Sequence, residues 1–181
     1  TTAANDCSLR GAIAVAAAGD YILFDTTVFN DTTPIAITQA LPVLAADWVS
    51  VEGARDTVII DGAAAGAATD GLVVSGRGTW VTGLTVRGFG GHGLVVTGRD
   101  TVIGRCDDAV RENRLVGNGG FGVRITGVTA SGNSIIGNTI GSTGPLADRN
   151  GGGVLVDGGA RATAIGCGPT ANGALLVTRN R

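Results

Sequence analysis

Short runs of alternating residues between glycines recur four times and set the expected architecture. The copies are GLVVSG, GLVVTG, GVRITG and GVLVDG, and they begin at Gly71, Gly93, Gly122 and Gly153. A four-residue run is too short for a helix and cannot bury a core alone, so the copies indicate one unit stacked on itself. Intervals of 22, 29 and 31 residues suit turns of a parallel β-solenoid, with three short strands per turn and loops in the longer turns.

Alternation within each copy predicts which side chains face the core. The uniformly apolar positions should point inward, and they are Leu72/Val74, Leu94/Val96, Val123/Ile125 and Val154/Val156. The positions between them should point outward, where Val73, Val95, Arg124 and Leu155 would stack in one row. Three apolar residues in a solvent-facing row predict a contact ridge, unless a loop or the segment 26–47 buries it.

A second repeat has a period of 62 residues. TVIG at Thr101–Gly104 matches TAIG at Thr163–Gly166. Between these segments, Asn113 and Asn118 have the same five-residue spacing as Asn133 and Asn138, a set of four asparagines. Asparagine tolerates left-handed backbone and can hydrogen-bond to a stacked copy of itself, so these residues are expected at the bends.

The start of the chain predicts a helical cap. Asp6 or Ser8 can cap a helix over Leu9–Ala18 that ends at Gly19. Leu9, Ile13 and the alanines give this helix an apolar face. It would either cover the open first turn or pack on the side of the stack. We therefore predict one domain, with residues 1–20 as cap and 21–181 as solenoid.

The end of the chain predicts an uncovered edge. The last apolar run is Leu175–Val177, and no cap follows it. The chain is then either part of a longer solenoid or a subunit that docks end to end into a homo-oligomer or filament. The residues expected in such a contact are Leu175, Leu176, Val177 and Thr178 on one copy, with Leu9, Ile13 and Cys7 on the next, facing Cys167.

Composition excludes several classes of protein. Glycine accounts for 32 of 181 residues and 44% of residues are hydrophobic, which is typical of a turn-rich β fold and not of a disordered chain. No apolar stretch reaches the length of a membrane span. The net charge is −2, and there is no basic run that would favour nucleic acid as a partner.

Three cysteines, Cys7, Cys106 and Cys167, leave at least one unpaired within the chain. Cys106 and Cys167 occupy nearly equivalent places two turns apart. Two strand spacings amount to about 9.6 Å, which is too far for a disulfide without distortion. A disulfide between these two residues is therefore not expected.

The opening segment NDCSLRGAI, Asn5–Ile13, resembles the signature of the CSLREA domain, with Gly11 in the place of its Glu. The later FD, IDG and GLTVRG segments and the repeats of 101–181 are also similar to that family. The resemblance implies a secreted or cell-surface bacterial protein whose signal peptide has been removed, and no settled activity. It also implies a right-handed parallel β-helix, for which we expect about six turns and a length of roughly 30 Å.

Enzymatic candidates are weak in this sequence. Gly91–Gly93 reads GHG and is followed by Asp107 and Asp108, similar to two polygalacturonase motifs, but the order is reversed and the other motifs are missing. His92 also fills the variable place of the G-x-G repeat. A calcium-dependent lyase would need clustered carboxylates, whereas Asp56, Asp61, Asp100 and Asp157 are scattered. We therefore expect no catalytic, cofactor-binding or metal-binding residues.

These observations favour an extracellular structural protein that associates with itself. The first alternative is a carbohydrate-binding or adhesive module, which a groove lined by aromatic residues would favour, but only Trp48, Trp80, Tyr21 and four phenylalanines are available. The second alternative is a polysaccharide lyase or hydrolase, which would gather carboxylates in a cleft.

Overall fold

The computed structural model describes residues 8–30, 32–54, 56–106, 109–141, 149–166 and 176–177, and every structural statement below concerns these residues. The chain is an all-β parallel solenoid with one short helix, which confirms the predicted fold class. It makes about five turns, one fewer than expected. Among the described residues, two sheets have six strands each and the third sheet has four, so the first and last turns are incomplete.

Three parallel sheets form the faces of the solenoid, and each of the four inner turns contributes one strand to each sheet. Sheet A contains β1 (Tyr21–Leu23), β3 (Ser50–Glu52), β6 (Trp80–Thr82), β9 (Val102–Ile103), β12 (Ser134–Ile135) and β15 (Ala164–Ile165). Sheet B contains β2 (Ile35–Ala36), β4 (Ile59–Asp61), β7 (Thr85–Arg87), β10 (Arg114–Val116), β13 (Thr139–Ile140) and β16 (Leu176–Val177). Sheet C contains β5 (Leu72–Val74), β8 (Leu94–Val96), β11 (Phe121–Thr126) and β14 (Gly152–Asp157).

The glycine-bounded repeats form sheet C in the predicted register. Leu72 pairs with Leu94, Leu94 with Val123 and Val123 with Val154. The inward residues of the first three copies are each at most 2% exposed. The fourth copy differs, because Val156 is 39% exposed where burial was expected. Strand β14 is the last strand of sheet C among the described residues, and none of these residues forms a further strand over Val156.

The 62-residue repeat spans two turns, as its length predicts. Val102 pairs with Ser134, and Ser134 pairs with Ala164 one turn further on. Between β9 and β10 the chain forms a short 3-10 helix, Ala109–Arg111, whereas a single bend joins β12 to β13. Turns of unequal length therefore keep the same stacking register, because the extra residues lie at the bends.

The N-terminal helix α1 forms where it was predicted, but it ends at Val15, three residues before the expected Ala18. It spans Leu9–Val15, and the Oγ of Ser8 accepts a hydrogen bond from the N–H of Gly11 at 3.1 Å. Leu9 and Ile13 are 6% and 4% exposed and belong to the main hydrophobic core. The expectation that these two side chains contact a neighbouring subunit is therefore wrong, since they are buried within their own chain.

Buried asparagines tie successive turns together at the bends. Asn113 is 0% exposed, and its Oδ1 accepts a hydrogen bond from the N–H of Leu84 at 3.0 Å. Its Nδ2 donates to the carbonyl of Val81 at 2.8 Å and to Oδ1 of Asn138 at 2.9 Å. The side chain thus satisfies backbone groups that a bend leaves without strand partners.

The same arrangement occurs at the other two bends. Oδ1 of Asn118 accepts from the N–H of Phe89 at 3.1 Å, and its Nδ2 donates to Oδ1 of Asn150 at 3.0 Å. Oδ1 of Asn133 accepts from the N–H of Thr101 at 2.9 Å. The prediction that these asparagines lie at bends is confirmed, and their burial shows that they are part of the core.

A column of four buried residues, two of which are threonines, lies inside the bend that leads into sheet A. The column runs from Val49 through Thr79 and Thr101 to Asn133, and all four residues are at most 1% exposed. The Oγ1 atoms of Thr79 and Thr101 are buried without a hydrogen-bond partner in the described structure. A buried hydroxyl without a partner costs about 1–3 kcal/mol, whereas valine at Val49 fits the same column without that cost.

We expect Thr101→Val to stabilise the protein by about 1 kcal/mol, because valine has the shape of threonine and removes the unpaired hydroxyl. Thr69→Val is the matched control, since Oγ1 of Thr69 donates to the carbonyl of Ala65 at 2.7 Å. That control should destabilise the protein. Urea unfolding followed by circular dichroism measures both changes, and a loss of stability in Thr101→Val would contradict this account of the column.

Candidate binding face

Tyrosine and tryptophan are exposed and lie near the start of the solenoid. The chain has one tyrosine and two tryptophans, and Tyr21, Trp48 and Trp80 are 67%, 53% and 43% exposed. Phe89, in contrast, is fully buried. Large aromatic side chains contribute strongly to a core when buried, so exposure of all three residues calls for a functional explanation. We call Tyr21, Trp48 and Trp80 the aromatic face.

Two of these residues share the outer surface of sheet A. Tyr21 pairs in register with Ser50, and Ser50 pairs with Trp80. The aromatic residues are therefore separated along the solenoid by two strand spacings, or about 9.6 Å, with a small polar residue between them. This spacing leaves room for a flat ligand to contact both rings at once.

Trp48 lies at the bend that precedes sheet A, in a backbone conformation unusual for its size. Its φ is 60°, in the left-handed region that favours glycine. Every later turn has a left-handed residue at the equivalent position: these are Gly78, Asp100, Gly132 and Ala162. The bend therefore imposes this conformation, and glycine would satisfy it without strain.

The next turn makes room for the Trp48 ring. A Cβ on Gly78 would overlap the indole, so the ring lies directly against that glycine. The guanidinium carbon of Arg77 lies 5.1 Å from the ring centre, within the range of a cation–π contact. A bulky residue held in left-handed backbone costs about 1–3 kcal/mol, and such strain clusters at functional sites. Because Asp100 and Ala162 have the same backbone conformation in later turns, it is the exposure of the Trp48 ring that calls for a functional explanation.

A polar groove runs beside Trp48, between sheets C and A. We call it the corner groove, and it is lined by Asp47, Ser75, Arg77, Thr97, Arg99 and Ser131 among other residues. Oδ1 of Asp47 accepts a hydrogen bond from the backbone N–H of Arg77 at 2.7 Å. Because Arg77 also lies over Trp48, it connects the groove to the aromatic face.

The scattered aspartates that a calcium site would need are ion-paired instead. The closest nitrogen–oxygen distances are 3.5 Å for Arg114–Asp56, 2.8 Å for Arg87–Asp61, 2.9 Å for Arg77–Asp100 and 2.9 Å for Arg124–Asp157. Each pair joins different turns of the solenoid. Within the described part of the chain, no three His, Cys, Asp or Glu residues are grouped so as to hold a metal ion.

The pair between Arg124 and Asp157 perturbs both groups. A hydrogen bond from Arg124, with a second from Thr126, holds the pKa of Asp157 below its ordinary value. The same contact with Asp157 raises the pKa of Arg124. Both groups are charged at neutral pH, and the pair acts as a clamp between β11 and β14 on the outer surface of sheet C.

His92 connects three turns on that surface. Its backbone N–H donates to Oδ1 of Asp70 at 2.7 Å, and its Nδ1 accepts from the N–H of Phe121 at 2.8 Å. The rings of His92 and Phe121 lie 5.8 Å apart. Asp107 and Asp108, the other part of the polygalacturonase-like pattern, lie outside the described residues. The interpretation of His92 as part of an acid–base site therefore stays a hypothesis.

The predicted ridge stacks in register but is not an open apolar row. Val73, Val95, Arg124 and Leu155 are successive partners across sheet C. Val95 is only 7% exposed, and the other three residues are half-buried. The expectation of an exposed ridge is therefore wrong at Val95, and the ion pair of Arg124 with Asp157 occupies the surface beside it.

Most of the predicted end-to-end contact cannot be placed. Leu175, Thr178, Cys7 and Cys167 lie outside the described residues, and the backbone of Leu176–Val177 pairs with β13. Cys106, for which a bond to Cys167 was not expected, is disulfide-bonded. The two other cysteines, Cys7 and Cys167, lie outside the described residues, so a bond between Cys7 and Cys167 of neighbouring subunits stays a prediction.

Comparisons with protein-family models, with curated proteins and with solved structures gave no match to this chain. The resemblance to the CSLREA domain therefore stays a prediction. In the described part of the chain, no helix has the length and apolar character needed to cross a membrane. The functional argument rests on the arrangement of the chain's own residues.

Sequence reasoning named the three aromatic residues but did not bring them together. The pairing of Tyr21 with Ser50 and of Ser50 with Trp80 depends on intervals of 29 and 30 residues, outside the glycine-bounded repeats that defined the register. A search for residues at equivalent places in the bend before sheet A would have aligned Trp48 with Gly78. The contact of Arg77 with Trp48 has no sequence signal of its own.

Proposed function

We propose that this protein is a non-catalytic polysaccharide-binding module that works outside the cell or at its surface. The observation that carries the proposal is the aromatic face: all the tyrosine and tryptophan of the chain is exposed in one region, and Trp48 is held there in strained backbone. Aromatic rings bind sugars because the negative π face attracts the polarised C–H groups on one face of a pyranose ring.

The surroundings of the rings favour a glycan over a protein partner. A protein interface needs a contiguous apolar core, whereas Tyr21 and Trp80 are separated by Ser50, and Glu52 on the same face is paired with Arg111. The corner groove adds hydroxyl and guanidinium groups that can hydrogen-bond to sugar hydroxyls. The surface of a solenoid repeats along its axis, and a polysaccharide is a ligand whose chain also repeats.

The disulfide at Cys106 supports an extracellular location, because disulfides persist in oxidising compartments and are rare in the cytosol. End-to-end assembly, the function favoured by the sequence, stays a prediction. Its N-terminal contact residues Leu9 and Ile13 are buried, and the proposed C-terminal residues Leu175 and Thr178 lie outside the described part of the chain.

Affinity electrophoresis in gels containing soluble polysaccharides tests the proposal. A panel of hydroxyethylcellulose, xylan, mannan, carboxymethylcellulose and alginate covers neutral and acidic backbones. We expect at least one polymer to retard the protein, and we expect Tyr21→Ser and Trp80→Ser each to weaken binding about tenfold or more, since exposed aromatics are typical binding hot spots.

Val43→Ser is the matched control, because Val43 is 49% exposed and belongs neither to the aromatic face nor to the lining of the corner groove. Its binding should equal that of the wild type. Sedimentation of the unbound protein distinguishes the rival occupant, a second copy of the chain. A dimer that dissociates on Trp80→Ser, together with no retardation by any polymer, would refute the proposed function.

A further inference from the structure

Arg99 is the one lining residue of the corner groove whose charge has no role in holding the fold. The residue is exposed, and its guanidinium makes no hydrogen bond or ion pair with any described residue. The other arginine of the groove, Arg77, is held by three contacts within the chain. Its Nε donates to Oδ2 of Asp100 at 2.9 Å, its guanidinium lies over Trp48, and its backbone N–H bonds to Asp47.

Four of the remaining lining residues carry hydroxyl groups, and Asp47 is the one with a negative charge. Oγ1 of Thr129 donates to the carbonyl of Thr97 at 2.9 Å, and Ser75 and Ser131 lie beside them along the groove. Asp100 is neutralised by Arg77, so the lining carries the positive charge of Arg99 with only Asp47 to oppose it. An anion that enters the groove would find one free guanidinium and the hydroxyl groups of Ser75 and Ser131.

We infer that the corner groove binds the carboxylate groups of an acidic polysaccharide, with Arg99 as the anion-binding residue and Trp48 stacking on a neighbouring sugar ring. This inference rests on the proposed function and names its ligand class. The planar guanidinium matches a carboxylate with two parallel hydrogen bonds, a geometry that favours carboxylate-bearing sugars. The whole chain has a net charge of −2, so attraction of a polyanion has to be local.

Three derivatives of one backbone provide the test. Carboxymethylcellulose carries carboxylates, cellulose sulfate carries sulfates, and hydroxyethylcellulose is neutral. We expect the wild type to bind carboxymethylcellulose about tenfold more tightly than hydroxyethylcellulose at low salt, as one charge-assisted pair predicts. Salt should reduce this preference, because exposed charges are screened.

Arg99→Gln should abolish the preference, so that the variant binds carboxymethylcellulose no more tightly than hydroxyethylcellulose. Arg87→Gln is the control for loss of one positive charge, because Arg87 lies on sheet B and pairs with Asp61. Circular dichroism melting verifies that both variants are folded. Arg99→Lys keeps the positive charge but lacks the planar guanidinium. A partial return of the preference in this variant would show that charge and shape both contribute.

Different negative results would contradict different parts of this inference. Equal binding of carboxymethylcellulose and hydroxyethylcellulose, still lost on Trp80→Ser, would overturn the role of Arg99 while the proposed function stands. Tighter binding of cellulose sulfate than of carboxymethylcellulose would overturn the assignment to carboxylates. Binding of neutral polymers only, unaffected by Arg99→Gln, would exclude acidic polysaccharides as the ligand class.

Discussion

Asn113→Asp is expected to destabilise the protein by about 4 kcal/mol or more, a large part of the stability of a typical domain. The substitution barely changes the size of the side chain, but it replaces the donor Nδ2 with an oxygen. That oxygen would face the carbonyl of Val81 and Oδ1 of Asn138, which now accept hydrogen bonds from Nδ2 at 2.8 and 2.9 Å. Two attractive contacts therefore become repulsive inside the core.

Burial increases the effect. Asn113 is 0% exposed, so the aspartate would have to be buried charged or be protonated, and both cost free energy. Asn30→Asp is the matched control, since Oδ1 of Asn30 only accepts hydrogen bonds, from the N–H and Oγ1 of Thr32, and a carboxylate can do the same. Thermal melting should shift by about 10 °C or more for Asn113→Asp and by little for the control. Similar shifts would show that the asparagines are not structural donors.

Ile135→Asp is the second variant with a large expected effect. Ile135 is 0% exposed and points into the core from β12, where it stacks between Ile103 and Ile165. The substitution removes apolar contacts and buries a carboxylate without a partner, so we expect a loss of about 3–5 kcal/mol.

The adjacent residue provides the control. Ser134 is half-buried on the outer surface of the same strand, and its partners Val102 and Ala164 carry no charge. Ser134→Asp should change the free energy of unfolding by roughly 0.5 kcal/mol, as surface substitutions usually do. Urea unfolding of both variants measures the difference. A larger loss for Ser134→Asp than for Ile135→Asp would mean that the strand faces the other way.

The sequence predicts the stacked parts of the fold because the repeat carries its own register. Glycines at both ends of each copy define a strand of fixed length, and alternation then assigns Leu94 and Val96 to the core. The assignment fails for Val156, because the burial of a side chain in a solenoid depends on the next turn as well as on its own. The alternation of residues therefore does not predict burial in the turns at the ends of the solenoid.

The sequence could not predict contacts that depend on loops of unequal length. The pairs of Arg124 with Asp157 and of Arg77 with Asp100 join residues 33 and 23 positions apart, and these intervals are known only once the turns are stacked. Burial of Val95 also depends on neighbours that alternation does not identify.

The candidate site was predictable in its residue types and not in its geometry. Tyr21, Trp48 and Trp80 are rare residues in a chain with 4% aromatics, which marks them from composition alone. Their exposure follows from the facing of β1 and β6 and from the left-handed bend at Trp48. No sequence pattern predicts that bend, because the equivalent positions in the later turns are occupied by glycine, aspartate and alanine.

Tryptophan fluorescence tests the central claim most directly, because both tryptophans of the chain belong to the aromatic face and report on nothing else. The polysaccharide that binds most tightly in affinity electrophoresis is added to saturation, and emission and acrylamide quenching are recorded. We predict a shift of emission to shorter wavelength and a clear loss of quenching, as bound sugar shields the two indoles. Unchanged emission and quenching at saturation would contradict the assignment of this face as the binding site.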